Sequence, residues 1–516
     1  MSTFINLALV KKKGIAQSDK KTNKLLRDSL HGLVDDIEKK KESILVHNIF
    51  NYGNDPVKRV LVEGAPGIGK TMLACYLCAE WARGNILQEY DCVLFVALRQ
   101  FQGNQNEKNL RILDLVYLYL QGEVGFKASE ELTMTSGDKT LLILEGWDEL
   151  APELREKVNL FHRLITRNLL PKASILVTSR PTVSSQLYDD MKERRIEVLG
   201  FNRKQIMEFV EEHAPDEKDL IISHLKKFPN IQTLSHIPMT LTIICSVVEH
   251  DSELPATLTG LYDRYIRNVL LQGLKRKQFQ LSGLADLTQL PPTAKDIFYS
   301  LSKLALWGFE NKRFVFRAKD LASVGLDLVE DFDAYGLLFT VPYYVGAGYE
   351  VHYQFRHLTL QEFMAAKRIE ALDHKQQMAL LDQYREDKLF QVVWKFLCGI
   401  TKLEDEDLRR SIISQTRKGN NKDELFLLHC VYEAHDSNLC LAAAEQLQYT
   451  VQLSNYPLIA TDCLCLAYTI SQAGGEWRLN LRGCNMGGEG LNILRWHLAK
   501  DHRPRRRPPV KIASLE

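Results

Sequence analysis

Between residues 56 and 200 the chain alternates short, largely apolar runs with helix-length segments, in RVLVEG, CVLFVAL, TLLILEG, SILVTSR and RIEVLGF. Strands that are apolar on both sides need cover on both faces, so the pattern predicts a parallel sheet wrapped by helices. A ligand of such a sheet sits at the carboxyl ends of its strands. From residue 201 the period becomes helical almost throughout, in RKQIMEFVEEH, TLTIICSVVEH, YDRYIRNVLLQG and TAKDIFYSLSKLALWGFE. A nucleotide-sized α/β unit is therefore followed by a long helical body.

Within that body RFVFRAKDL and YEVHYQFRHL carry strand character, and VGAGYE reads as a turn, which predicts a small helix-plus-hairpin module between 290 and 370. Helical patterning resumes from 375 to 470. LNLRGCNMGGEGLNIL then fits the core of a leucine-rich repeat, with Glu476 where the template's preceding leucine belongs. One unit cannot bury its own apolar face, so either it caps the helical body or a longer array is absent. The Arg/Pro-rich DHRPRRRPPVKIASLE cannot continue that repeat and is expected to be a disordered tail.

Composition narrows the class. With 516 residues, 45% of them hydrophobic, the chain has room for several cores and is not a disordered protein. Lys+Arg 66 against Asp+Glu 65 leaves no global charge to support nucleic-acid or membrane-surface binding. No run of about 18 apolar residues is present, and the opening MSTFINLALVKKKG has the wrong order for a secretory signal, so a cytosolic location is expected. Ten cysteines without paired spacing fit reduced thiols. Cys75 and Cys78 form a C-x-x-C, but on a helix with Leu77 and Trp81 nearby the expectation is buried packing rather than redox chemistry.

VEGAPGIGKT carries the chemistry. Gly64, Gly69, Lys70 and Thr71 satisfy G-x-x-x-x-G-K-[ST] directly after the strand RVLVE and directly before the helix TMLACYLCAEWARG. The loop Gly64, Ala65, Pro66, Gly67, Ile68 and Gly69 can turn its N–H groups onto phosphates, Lys70 can reach the β/γ oxygens, and Thr71 can ligate Mg2+. Downstream, LLILEGWDEL ends a strand on Glu145, with Asp148 and Glu149 just beyond. A magnesium ion bridging two phosphates needs a carboxylate there, so Glu145 and Asp148 are metal candidates. Asp148 or Glu149 orients an attacking water, and the sequence does not choose between them. SILVTSRP ends on Arg180, which can stabilise γ-phosphate charge.

GAPGIGKT, LLILEGWDEL, ILVTSRP, LSHIPMTLTIIC and FRHLTLQEFMAA, in this order, resemble the NACHT family of STAND nucleotide-dependent switches, specifically the animal NOD-like receptors. FINLALVKKK looks like the segment that precedes a NACHT domain, and LFLLHCVYEA looks like the second helical domain. The resemblance implies an AAA+-like α/β P-loop NTPase followed by a helical domain, a winged-helix domain, a second helical domain and the start of a leucine-rich repeat. The expected spans are 1–55 before the NACHT domain, 56–200, 201–285, 286–372, 373–470, 471–500 and the tail 501–516. It also implies that Pro238 packs on adenine and that His357 reaches the β-phosphate of ADP and keeps a closed form shut. The family usually has aspartate where Glu145 stands, so magnesium would be held by a longer arm, through water or with help from Asp148.

No second substrate pocket with its own chemistry is visible in the sequence, which argues against a metabolic kinase or ATPase. The resemblance instead implies an ATP/ADP switch, ADP-closed and ATP-open, with at most weak ATPase activity, that oligomerises with itself or related NACHT proteins in innate immune or cell-death signalling. A truncated regulator or decoy of full-length relatives and a constitutive NTPase are the alternatives. Adaptors, effectors and the activating ligand are not identified by the sequence, and nucleic acid is not an expected partner.

Overall fold

The apolar runs of the first half become one twisted sheet. A computed structural model describes residues 9–11, 44–52, 55–64, 66–101, 111–119, 136–150, 152–156, 159–180, 184, 187–198, 200–227, 229–248, 254–255, 257–276, 292–326, 337–345, 348–385, 387–401, 406–414, 421–456, 458, 460–484, 486–498 and 510–515. The chain enters through β1 (Leu9–Lys11) and a small hairpin of β2 (Asn51–Tyr52) and β3 (Asp55–Pro56). The sheet itself uses β1 with β4 (Arg59–Glu63), β5 (Cys92–Ala97), β6 (Thr140–Glu145), β7 (Ser174–Ser179) and β8 (Arg194–Val198), in the order β1-β8-β4-β7-β6-β5. β4 to β8 are mutually parallel, and β1 closes one edge antiparallel to β8.

Every residue of β4, β6 and β7 is buried, which is why these strands show no polar alternation. Successive side chains still point to opposite faces. Val60, Val62, Leu141, Ile143 and Leu176 enter one core, whereas Leu61, Leu142, Leu144, Ile175 and Val177 enter the other. Among the described residues, α1 (Lys70–Ala82), α2 (Ile112–Tyr119) and α3 (Leu160–Ile165) flank the sheet. Arg59 is buried among carbonyls where α3 ends, donating from Nε to Ile165 O at 3.1 Å and from Nη1 to Ala173 O at 2.6 Å. The end of a helix leaves such acceptors open, and a planar guanidinium can serve several at once.

The helical body starts at an Asn202–Gln205 capping box on α4 (Arg203–His213) and continues through α5 (Lys218–Lys227), α6 (Pro229–Leu234), α7 (Pro238–Val248) and α8 (Leu258–Arg276). The expected helix-plus-hairpin module follows as α9 (Pro292–Glu310), β9 (Phe316–Arg317), α10 (Ala318–Ser323), β10 (Leu338–Val345) and β11 (Gly348–Phe355), with a three-stranded sheet in the order β10-β11-β9. Next come α11 (Leu358–Glu370), α12 (His374–Gln383), α13 (Gln391–Ile400), α14 (Glu406–Ser414), α15 (Asn421–Ala434) and α16 (Ser437–Gln446).

The carboxyl-terminal part differs from expectation. β12 (Thr450–Gln452), α17 (Ala460–Ala473), β13 (Gly475–Asn480), α18 (Gly487–Leu498) and β14 (Val510–Leu515) build a parallel three-stranded sheet with helices between its strands. Disorder was expected over 501–516, yet Val510–Leu515 adds to the edge of β13, because a free strand edge binds a short segment with strand-forming residues such as Val510 and Ile512. β12, only three residues long, lies inside the stretch expected to be helical. The C-x-x-C expectation also needs correction. Cys75 is exposed and Cys78 half-buried, while Leu73, Ala74 and Leu77 form the inner face of α1. Among the described residues no helix is long and apolar enough to cross a membrane.

Candidate functional site: a P-loop cleft clasped by a distant helix

The loop after β4 turns with Gly67 at φ +70° and Gly69 at φ +104°, left-handed backbone that a residue with a Cβ resists. Gly69 is the N-cap of α1, so the helix N-terminus opens on the loop. Ile68 is buried beneath it, and Ala65 lies outside the described residues. Lys70 donates from Nζ to Gly64 O at 2.8 Å. Burial lowers the Lys70 pKa, against the raising charges of Asp148, Glu145 and Glu149, so lysine and three carboxylates share one cluster.

Thr71 Oγ1 donates to Glu145 Oε1 at 2.6 Å, joining the first turn of α1 to the end of β6. Glu145 Oε2 is buried with no hydrogen-bond partner among the described residues. A buried carboxylate oxygen without a donor is costly and suits a cation, so the Thr71–Glu145 pair fits a magnesium ion. Among the described residues no cluster of three His, Cys, Asp or Glu side chains could hold a metal alone. Phosphate oxygens would complete the shell.

Asp148 is committed elsewhere. Its Oδ1 accepts the backbone N–H of Arg180 at 2.9 Å, and Arg180 Nε lies 2.9 Å from Oδ2. The same guanidinium donates from Nη1 to Glu362 Oε1 at 2.8 Å, on α11 beyond the hairpin module. Side-chain exposures of 15%, 6% and 1% for Arg180, Asp148 and Glu362 make this a buried network. Arg180 is held strongly protonated: burial disfavours its charge, but Glu362 and Asp148 outweigh it. Burial raises Glu362, opposed by Arg180. Glu149, next to this group, is raised by burial and by the charges of Glu145 and Asp148 against the pull of Arg99, and its Oε2 is a second orphan acceptor.

Pro238 begins α7 beside the loop. Met239 N–H donates to Gly67 O at 3.3 Å, and a Cβ on Gly67 would stand 3.0 Å from that of Met239. His357 is the N-cap of α11, exposed, with no hydrogen bond from its ring among the described residues. Although the residue keeps solvent-exposed surface, its pKa is pulled down to about 4, first by partial removal from water and then by the charges of Arg99 and Arg356, so the imidazole is neutral at physiological pH. Among the sequence-derived residues, Gly64, Lys70, Thr71, Glu145, Asp148, Glu149 and Arg180 thus come together beyond the carboxyl ends of β4, β6 and β7, and α7 and α11, which follow Pro238 and His357, pack against them through Met239 and Glu362. Glu362 and Arg99 went unnoticed in the sequence. The available signals were a carboxylate in the middle of the buried helix LTLQEFMAA and a cation directly after the strand CVLFVAL.

Residues 58–217 match the NACHT domain and residues 296–355 match the NOD2 winged helix domain. Human "NACHT, LRR and PYD domains-containing protein 12" is 27% identical over 337 residues, covering 60% of this chain and 30% of that protein. The Danio rerio "NACHT, LRR and PYD domains-containing protein 1 homolog" is 22% identical over 523 residues, covering 88% of this chain and 36% of its own length. The chain therefore spans well under two thirds of these curated relatives. Among solved structures, a signal transduction ATPase with numerous domains (STAND) protein with a tetratricopeptide repeat sensor from Pyrococcus horikoshii is similar at a TM-score of 0.33 and 12% identity, covering 89% of this chain and 63% of that one. The two domain matches, in this order and around one cleft, identify the chain as a NACHT-domain member of the NOD-like receptor family.

Proposed function

We propose that this chain is an ATP/ADP switch of the NOD-like receptor type, closed with ADP and open with ATP, that assembles in the cytosol through its nucleotide-binding domain with copies of itself or related NACHT proteins in innate immune or cell-death signalling. One observation carries the reading. Arg180 ends a strand of the P-loop sheet, yet it is held at once by Asp148 of that unit and by Glu362 of the helix that His357 caps. A residue of the nucleotide site is thereby also a fastener between lobes.

Lys70 and the N–H groups of the loop would hold phosphate oxygens, and Thr71 with Glu145 would hold magnesium. A bound nucleotide supplies concentrated negative charge at the seam. His357, neutral and at the start of α11, would donate or accept one hydrogen bond there without adding charge. Glu149, kept protonated more readily by burial, is the better placed of the two downstream acids to exchange a proton with water, because both oxygens of Asp148 are tied to Arg180.

Magnitudes are consistent with several contacts acting together. Moving a two-state equilibrium from 1:99 to 99:1 needs about 5.5 kcal/mol of differential affinity. Breaking a buried ion pair costs about 3–5 kcal/mol. The Arg180–Glu362 clasp alone falls short, and His357 and the Gly67–Met239 contact would contribute the remainder. A test is ADP release from the purified protein and from His357→Ala. Release at least tenfold faster in the variant is expected. Equal release, with steady turnover by the monomer, would favour a constitutive NTPase instead.

A further inference from the structure

Arg99 follows the edge strand of the sheet. β5 and β6 run in register with Ala97 opposite Glu145, and past that pair the turns Leu98–Gln100 and Trp147–Glu149 pack together. The charge of Arg99 accordingly acts on Glu149, pulling its pKa down against the burial that raises it. Its charge also works against the burial that raises the Cys75 thiol, one helical turn after Thr71, and adds to the burial that lowers His357 at the start of α11. Arg99 is half-buried and makes no hydrogen bond or ion pair among the described residues.

Arg180, by contrast, is fully engaged. Its guanidinium bridges Asp148 and Glu362, and withdrawing it would leave two buried carboxylates without their cation. While the lobes are clasped, the arginine near Thr71, Glu145 and Glu149 that can take up a new phosphate without that loss is Arg99. We propose that Arg99 distinguishes a nucleoside triphosphate from a diphosphate in the clasped conformation, by setting its guanidinium against the terminal phosphate while Arg180 stays with Asp148 and Glu362. This rests on the nucleotide-switch reading above and assigns to Arg99 a contact that the sequence assigned to Arg180. A planar, permanently charged fork suits a phosphate through paired N–H donors, and the half-buried setting strengthens such contacts.

The experiment compares ADP with the non-hydrolysable analogue adenylyl imidodiphosphate, by calorimetric titration of the intact chain, Arg99→Gln and Arg99→Lys. Arg99→Gln should weaken the triphosphate analogue by about tenfold or more and ADP by less than about threefold, and Arg99→Lys should recover part of the difference. The His357 imidazole, followed by NMR, should titrate at higher pH in Arg99→Gln, a change that a packing role for Arg99 would not produce. Equal weakening of both nucleotides, or an unchanged ratio in both variants, would overturn the proposal. A wild-type chain that binds neither nucleotide would sink the switch reading itself, so the two failures are distinguishable.

Discussion

Arg180 Nη1 donates to Glu362 Oε1 at 2.8 Å across 182 residues of sequence, with Glu362 buried and Arg180 largely so. Removing the carboxylate leaves a buried guanidinium with Asp148 as its remaining partner. Glu362→Ala should lower stability by about 3–5 kcal/mol, with Glu362→Gln milder because the amide oxygen still accepts. Chemical denaturation would measure the loss, and ADP release should quicken in the same order. If both variants keep wild-type stability, the clasp carries no energy.

Lys70 and Thr71 separate two roles within the loop. Lys70→Ala should weaken ADP by about a hundredfold or more, since it removes the cation that meets the phosphates and leaves the cluster of Glu145, Asp148 and Glu149 unbalanced. Thr71→Ala should leave ADP without magnesium nearly unaffected and abolish the strengthening that magnesium gives, because the hydroxyl that would help Glu145 hold the ion is gone. Titrations with and without a chelator distinguish the two.

The low pKa of His357 sets a pH dependence. Its closed-state value of about 4 lies below the ordinary 6.5. Above 6.5 both closed and opened chains hold it neutral. As pH falls from 6.5 towards 4 only the opened or unfolded chain takes up the proton, so the closed arrangement loses stability through that window. Melting temperature should therefore fall more steeply with acidification for wild type than for His357→Gln. Parallel curves would show that His357 is not shielded in the closed form.

Gly200 couples the sheet unit to the helices. It has φ +87°, a Cβ there would come within 2.2 Å of His236 O, and the N–H of the next residue, Phe201, donates to that same carbonyl at 2.9 Å. Gly200→Ala should cost about 2 kcal/mol or more and loosen α7 from the loop, raising the ADP dissociation constant without touching a phosphate-facing residue. Thermal melts with and without ADP would measure both effects.

Much of the sheet was readable because its strands are buried on both faces and keep an unbroken apolar run, and the loop was readable because Gly64, Gly69, Lys70 and Thr71 stand at the spacing a phosphate-binding loop needs. Other features were not. The strand Val510–Leu515 follows a stretch rich in arginine and proline and pairs only because β13 offers a free edge, which is a tertiary fact. Cys75 and Cys78 share a helix with apolar residues, but the helix turns Leu73, Ala74 and Leu77 inward and leaves Cys75 outside. Glu362 reads as an ordinary helix residue until α11 is brought against the end of β7. The partnership of Arg180 with two carboxylates is a product of packing between lobes distant in sequence.

The central claim is that nucleotide controls how the P-loop unit and the clasping helix are joined, and mass is its most direct readout. Analytical ultracentrifugation of the purified chain should show a compact monomer with ADP, and a shift to larger species after exchange to adenylyl imidodiphosphate with magnesium, greater still in Glu362→Ala. An identical sedimentation profile for both nucleotides, in wild type and variant alike, would contradict the account.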